Sequence, residues 1–211
     1  MRKTKIIDKS QLDIGAEALK NGKLVVFPTE TVYGLGADAL NPDAVKSIFI
    51  AKGRPSDNPL IVHISDISQL EQLVVNISEV AKKLMAAFWP GPLTLVMEKS
   101  KTVPEIITAG LDTVAIRMPS DPIALELISK SGVPVAGPSA NISGRPSPTS
   151  EEHVIKDLNH RVDVIIRGGN AIVGLESTVL DVTCDPPKIL RPGYITDEDI
   201  KKIAGDVTYD P

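Results

Sequence analysis

The sequence predicts an α/β domain, because strand-like and helix-like segments alternate along the chain with no internal repeat or low-complexity tract. Several strand candidates are apolar on both faces, which places them in the interior of a sheet. Glycine and proline gather at the joints between them, in Pro28–Gly36, Gly53–Pro59, Trp89–Pro92, Gly137–Pro148, Gly168–Gly174 and Arg191–Gly193. Such joints line the ligand crevice of an α/β domain, since a rigid sheet holds loops that expose backbone N–H groups. The 211 residues, 42% of them hydrophobic, suit one large domain with a well-buried core. That domain is expected over residues 1–204, with the polar stretch 205–211 read as a tail or the start of an interdomain linker.

Taken in order, the strand candidates are Lys23–Phe27, Leu60–Ile64, Leu93–Met97, Thr113–Arg117, Val133–Ala136, Val162–Ile166 and Thr178–Val182. Helix starts are read from capping chemistry. Asn41-Pro42 and Asp121-Pro122 each pair an N-cap side chain with proline at the first helical position, and Asp66 with Gln69 forms a capping-box pattern. Helices are therefore expected to begin near Pro42, Ile67, Ser78, Pro122, Ser150 and Thr196.

Composition narrows the function classes. A single cysteine, Cys184, excludes an intrachain disulfide framework and a cysteine-based zinc cluster, and reads as an ordinary small apolar residue. The charge of −4 argues against a general nucleic-acid binder but leaves room for a local basic cleft. Neither a signal-peptide pattern nor a membrane-length apolar run is present, so a cytoplasmic location without membrane association is expected. The nucleotide-binding signatures Gly-x-Gly-x-x-Gly and Gly-x-x-x-x-Gly-Lys-Ser/Thr are absent, and no histidine or acidic pattern offers a protein metal cage. Of the three histidines, His153 and His160 fall on a polar helix and its exit, whereas His63 ends a strand beside a basic loop. Trp89, before Pro90-Gly91-Pro92, reads as a packing anchor.

Four segments carry chemistry. Phe27–Gly36 leaves a buried strand into a turn dense in hydroxyls and glycines; it suits a small ligand or simply satisfies its own backbone. Lys52-Gly53-Arg54-Pro55-Ser56-Asp57-Asn58-Pro59 sets two cations on a stiffened loop, which suits a polyphosphate or complements a helix C-terminus. Arg117 ends an otherwise apolar strand and needs an anion, either a substrate carboxylate or a structural Asp or Glu. Ala136–Ser147 follows a buried strand with small residues and hydroxyls, so that backbone donors can approach a phosphate closely. Gly174–Thr178 and Leu190–Gly193 repeat the theme of a polar cluster at a strand end.

Together, Pro28–Gly36, Lys52-Gly53-Arg54 to Asn58-Pro59-Leu60, Trp89–Thr94, Arg117-Met118-Pro119, Pro138-Ser139-Ala140-Asn141 and Leu190-Arg191-Pro192-Gly193 closely resemble the Sua5/YrdC/YwlC family of threonylcarbamoyl-AMP synthases. The resemblance runs from about Lys23 to about Gly193. It implies a YrdC-like twisted mixed sheet with helices around a large basic concave cleft. It also implies a nucleotidyltransferase that makes threonylcarbamoyl-AMP and pyrophosphate from L-threonine, bicarbonate or CO2, and ATP, toward the N6-threonylcarbamoyladenosine of tRNA. On that basis Lys52 and Arg54 are the catalytic cations. Asn58, Thr113, Ser139, Asn141, Ser147 and Arg191 join them around ATP, and Thr31, His63, Arg117, Gly137 and Ser177 surround threonine. Magnesium would be carried mainly by the ATP phosphates, and the product would pass to the tRNA threonylcarbamoyl transferase machinery. Loss of Arg54 or Arg117 is expected to cost activity with little effect on folding. Two other uses of the same cleft stay open: a module with weak RNA binding, and a carbamoyl-adenylate-forming domain like the related one in hydrogenase maturation proteins.

Overall fold

A computed structural model describes residues 1–211. Its strands are β1 (Lys5–Ile7), β2 (Val25–Phe27), β3 (Gly34–Asp38), β4 (Ile61–His63), β5 (Leu93–Glu98), β6 (Thr113–Arg117), β7 (Val135–Ala136), β8 (Val164–Ile166), β9 (Thr178–Asp181), β10 (Lys188–Arg191) and β11 (Thr208–Tyr209). Its helices are α1 (Leu12–Lys20), α2 (Pro42–Lys52), α3 (Glu79–Phe88), α4 (Glu105–Thr108), α5 (Pro122–Ser131), α6 (Glu151–Leu158) and α7 (Asp197–Ala204). The strands form one mixed sheet in the order β1-β8-β2-β3-β7-β4-β6-β5-β9-β10-β11. Parallel pairs such as β4/β6 and β5/β9 alternate with antiparallel ones such as β2/β3 and β5/β6. The mixed α/β architecture expected from the sequence is the one found.

Strand periodicity divides the core between the two faces of the sheet. Val25, Phe27, Val164 and Ile166 face a smaller apolar cluster with Leu12, Leu19, Leu127 and Ile128 from α1 and α5. Leu24, Val26 and Ile165 face the larger cluster on the opposite side, with Val45, Ile48 and Phe49 of α2 and Leu84 of α3. Trp89 packs into that larger cluster and donates from its indole Nε1 to the Leu93 carbonyl at 2.7 Å, so it is an anchor.

Capping chemistry located the helices well. Asn41 and Asp121 each accept from two backbone amides of the following turn, with proline at the first helical position. Ser78, Ser150 and Thr196 cap α3, α6 and α7. The Asp66–Gln69 capping box is present too, but it opens a 3-10 segment over Ile67–Gln72 rather than an α-helix.

All seven strand candidates are strands, most of them shorter than drawn from the sequence. Four strands and two helices were missed. β3 contains Gly34 and Gly36, which read as a turn; glycine is required there because a Cβ on either would stand 2.9 Å from the Phe27 ring. α1 has no side-chain cap at Gln11 to announce it, and it is held by its buried stripe Leu12, Gly15, Ala16 and Leu19. β11 lies within 205–211, the stretch read as a tail or the start of a linker. Thr208 and Tyr209 pair with Lys188 and Ile189 of β10 and extend the sheet, since β10 would otherwise be an unpaired edge. Cys184 is exposed, beyond the end of β9, and so is not a core residue. No helix is long and apolar enough to cross a membrane.

Candidate active site

A cleft forms where the loop after β2, the ends of β4 and β6, the loop leaving β7 and the facing ends of β9 and β10 converge. Its volume is about 230 Å³. That is below the usual 300–1,000 Å³ of pockets for drug-sized ligands, roughly the scale of an amino acid. A larger ligand would have to extend from it across the open mouth.

The floor is set by the register of β4 and β6, which places His63 beside Arg117. Arg117 is 2% exposed. It donates from Nη1 to Glu30 Oε1 at 3.0 Å and from Nη2 to the Thr31 hydroxyl at 3.2 Å. The second oxygen of Glu30 accepts from the Ser120 amide at 2.9 Å and its hydroxyl at 2.7 Å. Burial alone would raise the Glu30 pKa, but Arg117 and the two Ser120 donors outweigh it and hold the carboxyl below its ordinary range. The structural acid that the sequence allowed for Arg117 is therefore Glu30, in the Thr-Glu-Thr turn itself. Arg117 nonetheless still lines the cleft.

His63 is buried and meets the Phe27 ring edge-on, with centroids 5.7 Å apart. Burial, with the Arg117 charge adding to it, depresses its pKa to about 3, so the imidazole is neutral at physiological pH. Its Nδ1 has no partner within the protein. Because a histidine in the unfolded chain takes up a proton near 6.5 and the folded one does not until about 3, stability is full above 6.5 and falls as the pH drops through that window. The slope should approach about 1.4 kcal/mol per pH unit. Urea unfolding at pH 6 and pH 5, where carboxylates stay ionised, should show the parent chain losing about 1 kcal/mol more than His63→Gln.

Cations occupy the mouth. Arg54 is half-buried, with its guanidinium carbon 5.4 Å from the centre of the Phe49 ring and its Nε unpartnered. Arg191 donates from Nε and Nη2 to the Ser177 carbonyl at 3.1 and 2.8 Å, and its Nη1 forms an ion pair with Glu176 Oε2 at 3.1 Å. The Ser177 hydroxyl, shared with Thr94 at 2.7 Å, ties this cluster to β5.

Thr31, His63, Arg117, Gly137 and Ser177, the residues assigned to threonine by resemblance, all line the cleft, as do Arg54, Ser139 and Arg191 from the nucleotide set. The rest differ. Lys52 is 1% exposed; its ammonium is spent on the Ser139 carbonyl and, at 3.5 Å, on Asn141 Oδ1. It therefore braces the Ser139–Asn141 loop from behind instead of reaching into the cleft. Burial, then the Arg54 charge, lower its pKa to about 8, with Glu176 opposing them. Asn141 is likewise a loop organiser, donating to the Ile142 and Arg145 carbonyls. Ser147 reaches the cleft only through its 2.8 Å bond to Glu176. Asn58 is exposed, next to the lining residue Pro59. Thr113 stands at the opposite end of β6 from Arg117, about 13 Å back along the strand, in a separate polar depression with Glu98, Asp112 and Thr183. Glu30 and Glu176 are the residues that sequence reasoning passed over. Their signal was a carboxylate inside an otherwise neutral turn of the kind that lines a crevice.

This fold and this cleft define an α/β protein with a small polar cleft lined by three arginines. Comparison with known proteins gives the particular lineage. A family model described as "Telomere recombination" (Sua5_yciO_yrdC) matches residues 17–193, and the chain belongs to that family. A threonylcarbamoyl-AMP synthase of Pyrococcus abyssi is 56% identical over 205 residues, covering 97% of this chain and 60% of the relative. One from Bacillus subtilis is 56% identical over 201 residues, covering 95% and 58%. The crystal structure of P. abyssi Sua5 complexed with L-threonine superposes with a TM-score of 0.95 at 53% identity, over 99% of this chain and 62% of that one. The chain thus spans about three fifths of the length of these relatives.

Proposed function

We propose that this chain condenses L-threonine, bicarbonate or CO2, and ATP into threonylcarbamoyl-AMP and pyrophosphate, supplying the threonylcarbamoyl group for a modified adenosine of tRNA. One observation carries the reading: the buried Arg117 and the neutral imidazole of His63 line the same cleft as the half-buried Arg54 and Arg191. The buried arginine suits an amino-acid carboxylate and the half-buried pair a nucleotide phosphate chain. The 53% identical P. abyssi structure, complexed with L-threonine, supports threonine as a ligand of this fold.

In this scheme Arg117 and the Thr31 hydroxyl take the threonine carboxylate, with the neutral imidazole of His63 beside them. The threonine amine adds to CO2 and loses a proton, giving a carbamate. A carbamate oxygen then attacks the α-phosphorus of ATP, and the bond to the β-phosphate oxygen breaks to release pyrophosphate. Two anions must be brought together in a sheltered site, so the protein's contribution is alignment and charge neutralisation. Arg54 and Arg191 supply the positive charge; Lys52 holds the Ser139 loop in place. The mouth is rich in cations, which fits phosphates better than a bare metal ion, so magnesium enters as part of the MgATP substrate.

The test is pyrophosphate release from ATP with threonine and bicarbonate omitted in turn. Dependence on both is expected. Turnover that instead required carbamoyl phosphate, or RNA binding with steep salt dependence and no turnover, would replace this reading. Gly137→Ala gives a sharper check on the floor. Its Cβ would stand 2.9 Å from His63 Nδ1 and 3.1 Å from the Phe27 ring, pushing the imidazole into the cavity. Calorimetric titration should show threonine affinity reduced at least about tenfold, equivalent to about 1.4 kcal/mol, with ATP affinity retained.

A further inference from the structure

Thr94 of β5 is fully buried, and its hydroxyl has one hydrogen-bond partner in the protein, the Ser177 hydroxyl at 2.7 Å. The two meet because β5 runs parallel to β9, with Leu93 opposite Thr178 and Thr94 opposite Val179. The Thr178 amide donates to the Pro92 carbonyl at 3.1 Å and fixes that register where the strands begin. Ser177 is 3% exposed and lines the cleft, whereas Thr94 stands behind it and does not. A third group completes the cluster, since Arg191 Nη2 reaches the Ser177 hydroxyl at 3.1 Å.

Counting donors fixes the direction of these bonds. A guanidinium has no acceptor, so Arg191 donates and fills one lone pair of the Ser177 oxygen. The Thr94 proton has the Ser177 oxygen as the one acceptor the protein gives it. Were Ser177 to donate to Thr94 instead, that proton would be stranded in a fully buried place at the full cost of its desolvation. Thr94 therefore donates too and fills the second lone pair. The Ser177 hydroxyl then accepts twice, and its own proton is turned away from both partners, toward the cleft. We propose that Thr94 is a positioning residue for the reaction, which together with Arg191 makes the Ser177 hydroxyl an obligate donor to an acceptor oxygen of the bound amino acid. Without Thr94 the Ser177 proton is free to rotate among its staggered positions, and binding has to restrict it. This rests on the threonine reading of the cleft given above.

Calorimetric titration of threonine into the parent, Thr94→Val, Thr94→Ser, Ser177→Ala and the Thr94→Val/Ser177→Ala double variant tests it. Thr94→Val keeps the shape and removes the hydroxyl. It should weaken threonine binding about fivefold or more, and Ser177→Ala about tenfold or more. Thr94→Ser, which keeps the donor, should bind like the parent. In the Ser177→Ala background Thr94→Val should cost nothing further, because Thr94 acts only through Ser177. A packing role for Thr94 would not produce that coupling. Thr94→Val binding threonine as tightly as the parent overturns the proposal, and so does an equal loss in both backgrounds. Ser177→Ala binding like the parent also overturns it, a result that stands even if Thr94→Val fails to fold. A parent that binds no threonine would remove the threonine reading itself, and this inference with it.

Discussion

Arg117→Ala will abolish threonine-dependent pyrophosphate release and will also destabilise the chain, by about 3–5 kcal/mol. The second effect reverses the expectation drawn from the sequence, that this arginine could be lost with little effect on folding. The reason is Glu30. With Arg117 removed, a 5% exposed carboxylate keeps its two Ser120 donors but loses its only counter-charge. An unpaired buried charge costs far more than a vacated surface one. Chemical denaturation separates the two effects. Arg117→Ala combined with Glu30→Gln should recover most of the lost stability and none of the activity. If the single variant unfolded like the parent, the buried pair would carry no structural weight.

Gly193→Ala should be nearly as damaging although it touches no charge. Its Cβ would meet the Glu176 carbonyl oxygen and the Thr178 amide nitrogen, both at 2.5 Å. Both atoms are backbone, so no side chain can swing aside. Either the Arg191–Gly193 turn or the start of β9 must move, at a cost of about 1–3 kcal/mol. Movement of either breaks the bonds between Arg191 and the Ser177 carbonyl. Pyrophosphate release should fall at least about a hundredfold, in line with the sensitivity of aligned reactions to shifts near 1 Å. A melting curve shifted down by several degrees should accompany the loss.

Both predictions depend on residues whose importance is only partly visible in the chain. Gly193 sits in Leu190-Arg191-Pro192-Gly193, which the sequence marks as a polar turn at a strand end; what makes it glycine is the neighbouring backbone of Glu176–Thr178, seventeen to fifteen residues earlier. Arg117 is visible as a cation closing an apolar strand, but the choice between a substrate and a structural anion is not local. The partner lies 87 positions away, and the answer is that Glu30 takes part of the fork while the arginine still faces the cleft.

By itself the sequence determined the α/β class, the seven principal strands, the capped helix starts and the loops that build the cleft. Each of these is written in short-range chemistry: a period of two, an N-cap oxygen, a proline at the first helical turn. The family resemblance carried by its motifs also supplied the residues proposed for threonine, all of which line the cleft. Tertiary structure decided the rest. Packing against Phe27 turned the glycine-rich stretch 34–38 into a strand, and the open edge of β10 drew Thr208 and Tyr209 into the sheet. Burial sent Lys52 to the Ser139 carbonyl, and strand direction carried Thr113 away from the cleft. These outcomes depend on which distant atoms compete for a donor, an acceptor or a volume, and only the folded chain brings those atoms together.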